Sequence, residues 1–309
     1  MIAIHFYARS RFYWVLLAVT LSVFSQDGFG QKNKEHVFLN KQLAAWCIVP
    51  FDAKNRTPEE RAEMLDKLGI RKLAYDWRDE HIPLFDREWA ALKQHNIALF
   101  AFWLPSNADP AKNPHIEKVF KFLERNQIKT QLWYLPGWFD GFENQVPGFK
   151  DMPRSEQIAT IAKPVRYIAE RAEKLGCTVG LYNHGGWFGE PENQIAIIEY
   201  LKMKNVGMVY NFHHAREQID RFSEFYPKME PHLLAVNFAG LQSGPPAKVV
   251  PLGTGDAEYA MISQILKSKY KGPVSVQNHH PDKDAEVALI AEREGLKQIL
   301  QKINPMIIS

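Results

Sequence analysis

The chain has 309 residues, with 38 basic against 35 acidic side chains and a formal net charge of +3. So even a balance excludes a polymeric anion held by bulk positive charge, as a nucleic acid is, and the two cysteines, Cys47 and Cys177, are too few for a disulfide framework. In chain order, Arg9 and Arg11 come first, before an uncharged run over residues 12–24. That run is shorter than the roughly 20 apolar residues that span a bilayer. With its basic flank and the small residues behind it, it reads as a cleaved secretion signal. The expectation is a signal over residues 1–30 and a single domain over residues 31–309, exported to the periplasm or beyond, starting near Gln26 or Gln31 and free of the membrane once mature.

Eight short apolar runs follow, over residues 43–50, 72–77, 97–104, 130–135, 178–181, 206–210, 233–236 and 274–276. Amphipathic stretches separate them. The clearest opens at Thr57-Pro58-Glu59-Glu60, where Thr57 caps, Pro58 suits the first helical position, Glu60 completes a capping box and Gly69 ends the helix. Others cover 86–94, 113–125, 155–175, 192–203, 256–269 and 284–303. Alternating strands and helices imply right-handed βαβ units and a parallel sheet. Eight such units predict an α/β fold, a closed (β/α)8 barrel in one domain, and no GxGxxG follows the first strand to suggest a dinucleotide site. The connection over residues 137–153 carries Trp138, Phe139, Phe142 and Phe149. It reads either as a lid over a sugar ring or as a segment packed on the helices.

In such barrels the active site forms at the C-terminal ends of the strands. Those ends are rich in polar residues: Asp76, Arg78 and His81 after strand two, Trp103 on strand three, "YNHGGWFGEPENQ" after strand five, "NFHHA" after strand six, Asn237 on strand seven and "QNHHP" after strand eight. Histidines gather here as His81, His184, His213, His214, His279 and His280. Buried polar groups that converge on a cavity need a purpose. For proton transfer beside a carbonyl, a histidine and a carboxylate suffice, so His184, Glu190, Asp76 and His81 are the expected catalytic groups. Arg78, Trp103, Trp187, Asn211, Asn237, Gln277 and Asn278 are expected to bind substrate. Bland alternatives remain open: Glu190 as a helix cap before Pro191, and Arg78 in a salt bridge with Asp76.

These residues carry a resemblance. "LYNHGGWFGEPENQ", the eight-strand rhythm and the closing "GPVSVQNHH" resemble the xylose isomerase-like barrels, the sugar phosphate isomerases and epimerases, over residues 40–304. The resemblance implies one divalent cation held by carboxylates and a histidine from strands five to eight. Here those positions fall on Tyr182, Asn211, Asn237 and Gln277, all neutral, which leaves the imidazoles of His184, His213, His214 and His279. Imidazoles suit zinc, cobalt or manganese better than magnesium. The functional expectation is an exported enzyme abstracting a proton next to the carbonyl of a non-phosphorylated keto-sugar, as an isomerase, an epimerase, or a lyase or hydratase. A small carbohydrate is its partner, and a homo-oligomer is left open. Two alternatives stand beside it: a carbohydrate-binding barrel without chemistry, and a glycoside hydrolase that would draw its carboxylate pair from Asp76 and Glu190.

Overall fold

A computed structural model describes residues 38–304, so the signal expected over residues 1–30 lies outside the described residues. Eight parallel strands close a barrel. They are β1 (Leu43–Trp46), β2 (Lys72–Tyr75), β3 (Ala98–Ser106), β4 (Gln131–Pro136), β5 (Thr178–Tyr182), β6 (Val206–Asn211) and β7 (Leu233–Asn237), with β10 (Val274–Gln277) closing against β1. Between β7 and β10 the chain adds an antiparallel hairpin, β8 (Gly240–Gln242) with β9 (Lys248–Val250), which the sequence reading missed.

The outer helices are α1 (Pro58–Lys67), α2 (Phe85–Gln94), α3 (Pro114–Arg125), the four-residue α4 (Phe142–Gln145), α5 (Arg154–Lys174), the four-residue α6 (Gly186–Gly189), α7 (Pro191–Leu201), α8 (Phe222–Met229), α9 (Glu258–Lys267) and α10 (Ala285–Ile303). Their starts follow from local chemistry. Thr57 and Glu60 form the expected capping box on α1, Asn113 caps α3 ahead of Pro114, and Asp284 caps α10. None of the described helices is long and apolar enough to cross a membrane.

Parallel strands put register partners on one side of the sheet, so contacts on one residue orient its neighbour. Trp103 lies beside Trp133 in register, and both meet Trp46 and Tyr182 inside the barrel. Phe102 and its register partner Tyr75 face the other way, against Phe85 of α2. Halfway down, Gly180 and Gly207 stand side by side. A Cβ on Gly180 would come within 2.5 Å of Val209, and one on Gly207 within 2.7 Å of Leu234, so the interior fills from neighbouring strands. The segment over residues 137–153 packs down: Phe142 and Phe149 are buried, and Phe149 meets Trp187 edge-on at 5.2 Å. The segment packs down through these rings and also reaches the barrel mouth, where Trp138, Asp140 and Glu143 line a cavity with His184.

Candidate functional site

The mouth of the barrel has an aromatic floor. Trp46, Trp103, Trp133 and Tyr182 form one buried layer, with ring centroids 4.7 to 5.9 Å apart. Trp103, expected to bind substrate, is part of this floor and only 4% exposed. Above it the four strand-end positions meet. The Tyr182 hydroxyl accepts hydrogen bonds from Trp46 Nε1 and Asn211 Nδ2, and Asn211 and Gln277 exchange two long amide contacts of 3.4 Å. Burial pushes the Tyr182 phenol far up, so it stays neutral. Asn237 lies in register with Asn211. Its side chain is buried with the Tyr182 hydroxyl as its polar neighbour, and the Ser275 hydroxyl, in register with it, is buried without a protein partner. Such groups cost free energy unless something polar reaches them.

Across this network runs a row of imidazoles. His184 and His214 are 4.2 Å apart by ring centroids, His214 and His213 5.0 Å, and His213 and His279 4.3 Å. Phe51 stacks on His279 at 4.4 Å, and the Arg78 guanidinium lies over Phe51. Burial is the chief force on their protonation. It lowers His184 to about 4 and His213 to about 3, with neighbouring imidazoles and Arg78 or Arg216 acting in the same direction. His214 and His279 are lowered too, first by burial. At neutral pH the row is uncharged.

Asp76 follows directly on the C-terminal end of β2, buried against the segment after β1. It is 1% exposed; Oδ1 accepts from the Val49 N–H at 3.2 Å, Oδ2 bonds no nitrogen or oxygen, and the Cys47 thiol is the carboxyl's other hydrogen-bonding neighbour. Burial raises its carboxyl to about 6, against the pull of Arg78. The adjoining Cys47 thiol is raised as well, first by burial and then by Asp76. Arg78 forms no salt bridge with Asp76: its Nη1 donates to the Asp76 and Trp77 carbonyls at 2.6 and 2.9 Å. His81, expected to be catalytic, accepts the Arg78 N–H on Nδ1 at 2.9 Å and holds the 3-10 turn Asp79–Leu84.

Several expected residues are spent on the scaffold. Glu190 pairs with Arg221 at 2.7 Å and accepts from Gln218, whose own amide oxygen takes the hydroxyl of outward-facing Tyr210. It therefore belongs to the helix layer, and its place there corrects the reading that it supplies the carboxylate at the mouth. Trp187 bonds Gln157 through Nε1 and packs on Phe149. Asn278 donates to the carbonyls of Phe51, His280 and Lys283 and accepts from the His280 N–H, which ties the loops after β1 and β10 together.

The carboxylate beside His184 comes instead from Glu143, which sequence reasoning missed. With Asp140, His184, Gly185 and Gly186 it lines a cavity of about 210 Å³. Glu143 Oε1 accepts the Trp187 N–H at 3.1 Å, while Oε2 is buried and without a partner. Gly186, at φ +63°, makes room for it, since a Cβ there would lie 2.4 Å from Oε1. The glycines after His184 are thus the signal that was present but unread.

The donors do not fit a divalent cation as they stand. Tyr182, Asn211, Asn237 and Gln277 are neutral, and amides without a carboxylate hold a hard ion poorly. The imidazoles lie along a row, tilted at 34° and 44° or edge-on at 70°, and among the described residues no three His, Cys, Asp or Glu side chains gather as a ligand set.

Solved structures share the fold. The chain is similar to 3-keto-D-glucoside 4-epimerase from E. coli, with 14% identity and a TM-score of 0.61 over 84% of this chain and 98% of that one. It is similar to the IOLI protein with a bound zinc atom, with 14% identity and a TM-score of 0.61 over 85% and 99%. A xylose isomerase-like TIM barrel protein from Mycobacterium smegmatis in complex with magnesium aligns over 87% and 98%, with 15% identity and a TM-score of 0.58. No curated protein matches by sequence. Residues 62–299 match the model of the xylose isomerase-like TIM barrel, and with the closed eight-strand barrel described above, the chain belongs to that family.

Proposed function

We propose that this protein is an exported sugar-modifying enzyme that moves a proton next to the carbonyl of a non-phosphorylated keto-sugar, as an isomerase, epimerase or lyase, and does so with its own side chains. The observation that carries the reading is Asp76: a buried carboxyl just past the C-terminal end of β2, the end of the barrel where such active sites form, raised to about 6, with Oδ2 bonded to no nitrogen or oxygen. A base of that strength is mostly ionised at neutral pH and still takes up a proton readily. In the proposed step the C–H electron pair moves into the carbonyl as the proton passes to Asp76 Oδ2. The neutral Tyr182 hydroxyl, the Asn237 amide and the imidazole row are the donors for the enolate oxygen. Returning the proton to the other face gives epimerisation, returning it to the neighbouring carbon gives isomerisation, and expelling a β-substituent gives elimination.

Similarity to a 3-keto-D-glucoside 4-epimerase supports a keto-sugar as the substrate class. The hydrolase alternative loses its carboxylate pair, because Arg221 holds Glu190. The test is solvent deuterium exchange into a panel of keto-sugars, followed by NMR. Exchange is expected with the parent chain, unchanged by EDTA, and reduced about 10²-fold or more in Asp76→Asn. Exchange that EDTA abolishes, or that Asp76→Asn leaves intact, would overturn the reading.

A further inference from the structure

A second cavity opens from the His213–His279 end of the imidazole row. It is an open groove of about 580 Å³ that begins at His213, Gln277 and His279 and leaves the barrel between the β8–β9 hairpin and α10. Val249, Val250 and Pro251 form one wall, and Val287, Ala288 and Ala291 the other. From Asp284 to Glu292 it follows α10 for about 12 Å, at 1.5 Å per residue. Val287 is 63% exposed, an apolar side chain left uncovered on this wall. The hairpin that makes the groove is held in place: buried Glu258 accepts the N–H groups of Leu241, Gly253 and Gly255 at 2.8 to 3.2 Å. The volume lies within the roughly 300–1,000 Å³ of pockets that hold drug-sized ligands and well exceeds the 210 Å³ beside His184.

We infer that this groove is a subsite for an apolar aglycone, so that the substrate is a glycoside whose sugar ring sits on the imidazole row and whose aryl or alkyl group lies between Val249–Pro251 and α10. The inference rests on the proposed sugar chemistry for the ring alone. Continuity argues for this occupant. His213 and His279 stand in the imidazole row, Gln277 in the amide network, and all three line the start of the groove, so a ring resting on the row would direct its substituent into it. Most of the area its walls expose is apolar, with Lys283, Asp284 and Glu292 at its α10 side, which favours an apolar substituent over a second sugar.

The test is calorimetric binding of 4-nitrophenyl and methyl glycosides of glucose, galactose and xylose to the full chain. For the sugar it prefers, the 4-nitrophenyl glycoside should bind at least about tenfold tighter than the methyl glycoside, from burial of the ring. Ala288→Trp, which fills the groove, and Val287→Asp, which charges its wall, should each abolish that preference and leave methyl glycoside affinity unchanged. Val287 is exposed and Ala288 half-buried on the open groove, and an unchanged melting temperature would confirm that the variants fold. Equal affinity for the two glycosides, a preference that survives both variants, or no binding of any glycoside would overturn the subsite. A clear aryl preference in a chain that shows no deuterium exchange would leave the subsite standing and remove the proposed chemistry instead.

Discussion

Two glutamates on neighbouring loops show what decides a residue's role. Glu190 and Glu143 both approach the segment after β5, but Glu190 is neutralised by Arg221 and bonded by Gln218, whereas Glu143 presents a buried, unpartnered Oε2 to the cavity that His184 lines. An ion pair between half-exposed groups contributes little to stability and removes the carboxylate from chemistry. Glu143→Gln keeps the side chain's shape and an oxygen for the Trp187 N–H while removing the charge. Turnover should fall roughly 10²-fold, the effect of losing an acid or base, with an unchanged melting temperature. Glu190→Gln should keep turnover within about twofold. Steady-state kinetics on the substrate found by exchange would check both, and the reverse ranking would return the role to Glu190.

At the scale of elements, the β8–β9 hairpin depends on a residue outside it. Each of its strands has three residues, too few to persist alone. Glu258, the first residue of α9, gathers three backbone N–H groups of residues 241–255. Glu258→Ala would leave these donors buried and unpaired, at about 1–3 kcal/mol each before relaxation. Urea unfolding should register a loss of roughly 2–4 kcal/mol, and limited proteolysis should cut within residues 240–257 first; unaltered stability would mean that the hairpin holds itself.

That dependence explains why the hairpin was not legible, whereas the barrel was. Each barrel strand is a continuous apolar run because both of its faces are covered, and Thr57, Asn113 and Asp284 mark helix starts through contacts two or three residues away. The strand ends were legible as a place for the same reason. Their roles were not, since what occupies Glu190 is Arg221, thirty-one residues on, and what anchors Asn278 includes Phe51, 227 residues back. Glu143 lay hidden in a segment whose aromatic residues suggested a lid, and only the fold brings it against Gly186.

Taken as a whole, the molecule concentrates uncharged imidazoles at one end of the barrel, and this sets its response to acid. His184 and His213 have folded values of about 4 and about 3, below the ordinary value of about 6.5. Between those limits the unfolded chain binds protons that the folded chain refuses, so stability rises with pH through that window and is lost as pH falls. His214 and His279 are lowered and act in the same sense. Asp284, held at about 2 by Lys54 and Arg56 against its desolvation, adds a loss below the ordinary carboxylate range. Asp76 and Glu292 oppose them: raised by burial to about 6 and about 7, they keep a proton that the unfolded chain gives up, so their contribution falls as pH rises toward those values. His81 is also lowered and Glu88 also raised, both first by burial, so five imidazoles outweigh three carboxyls. The melting temperature should therefore drop steadily from pH 7.5 to pH 4.5. Replacing His213 and His214 together with glutamine should flatten the slope, because two of the proton-refusing groups are gone. Asp76→Asn should stabilise the chain at pH 7.5, where it removes a buried charge, and steepen the acid slope, where it removes an opposing group. A level melting temperature in the parent chain, or a His213→Gln/His214→Gln chain that loses stability as steeply as the parent, would mean that the imidazole row takes up protons in the folded barrel and that its neutral state is not what the mouth is built around.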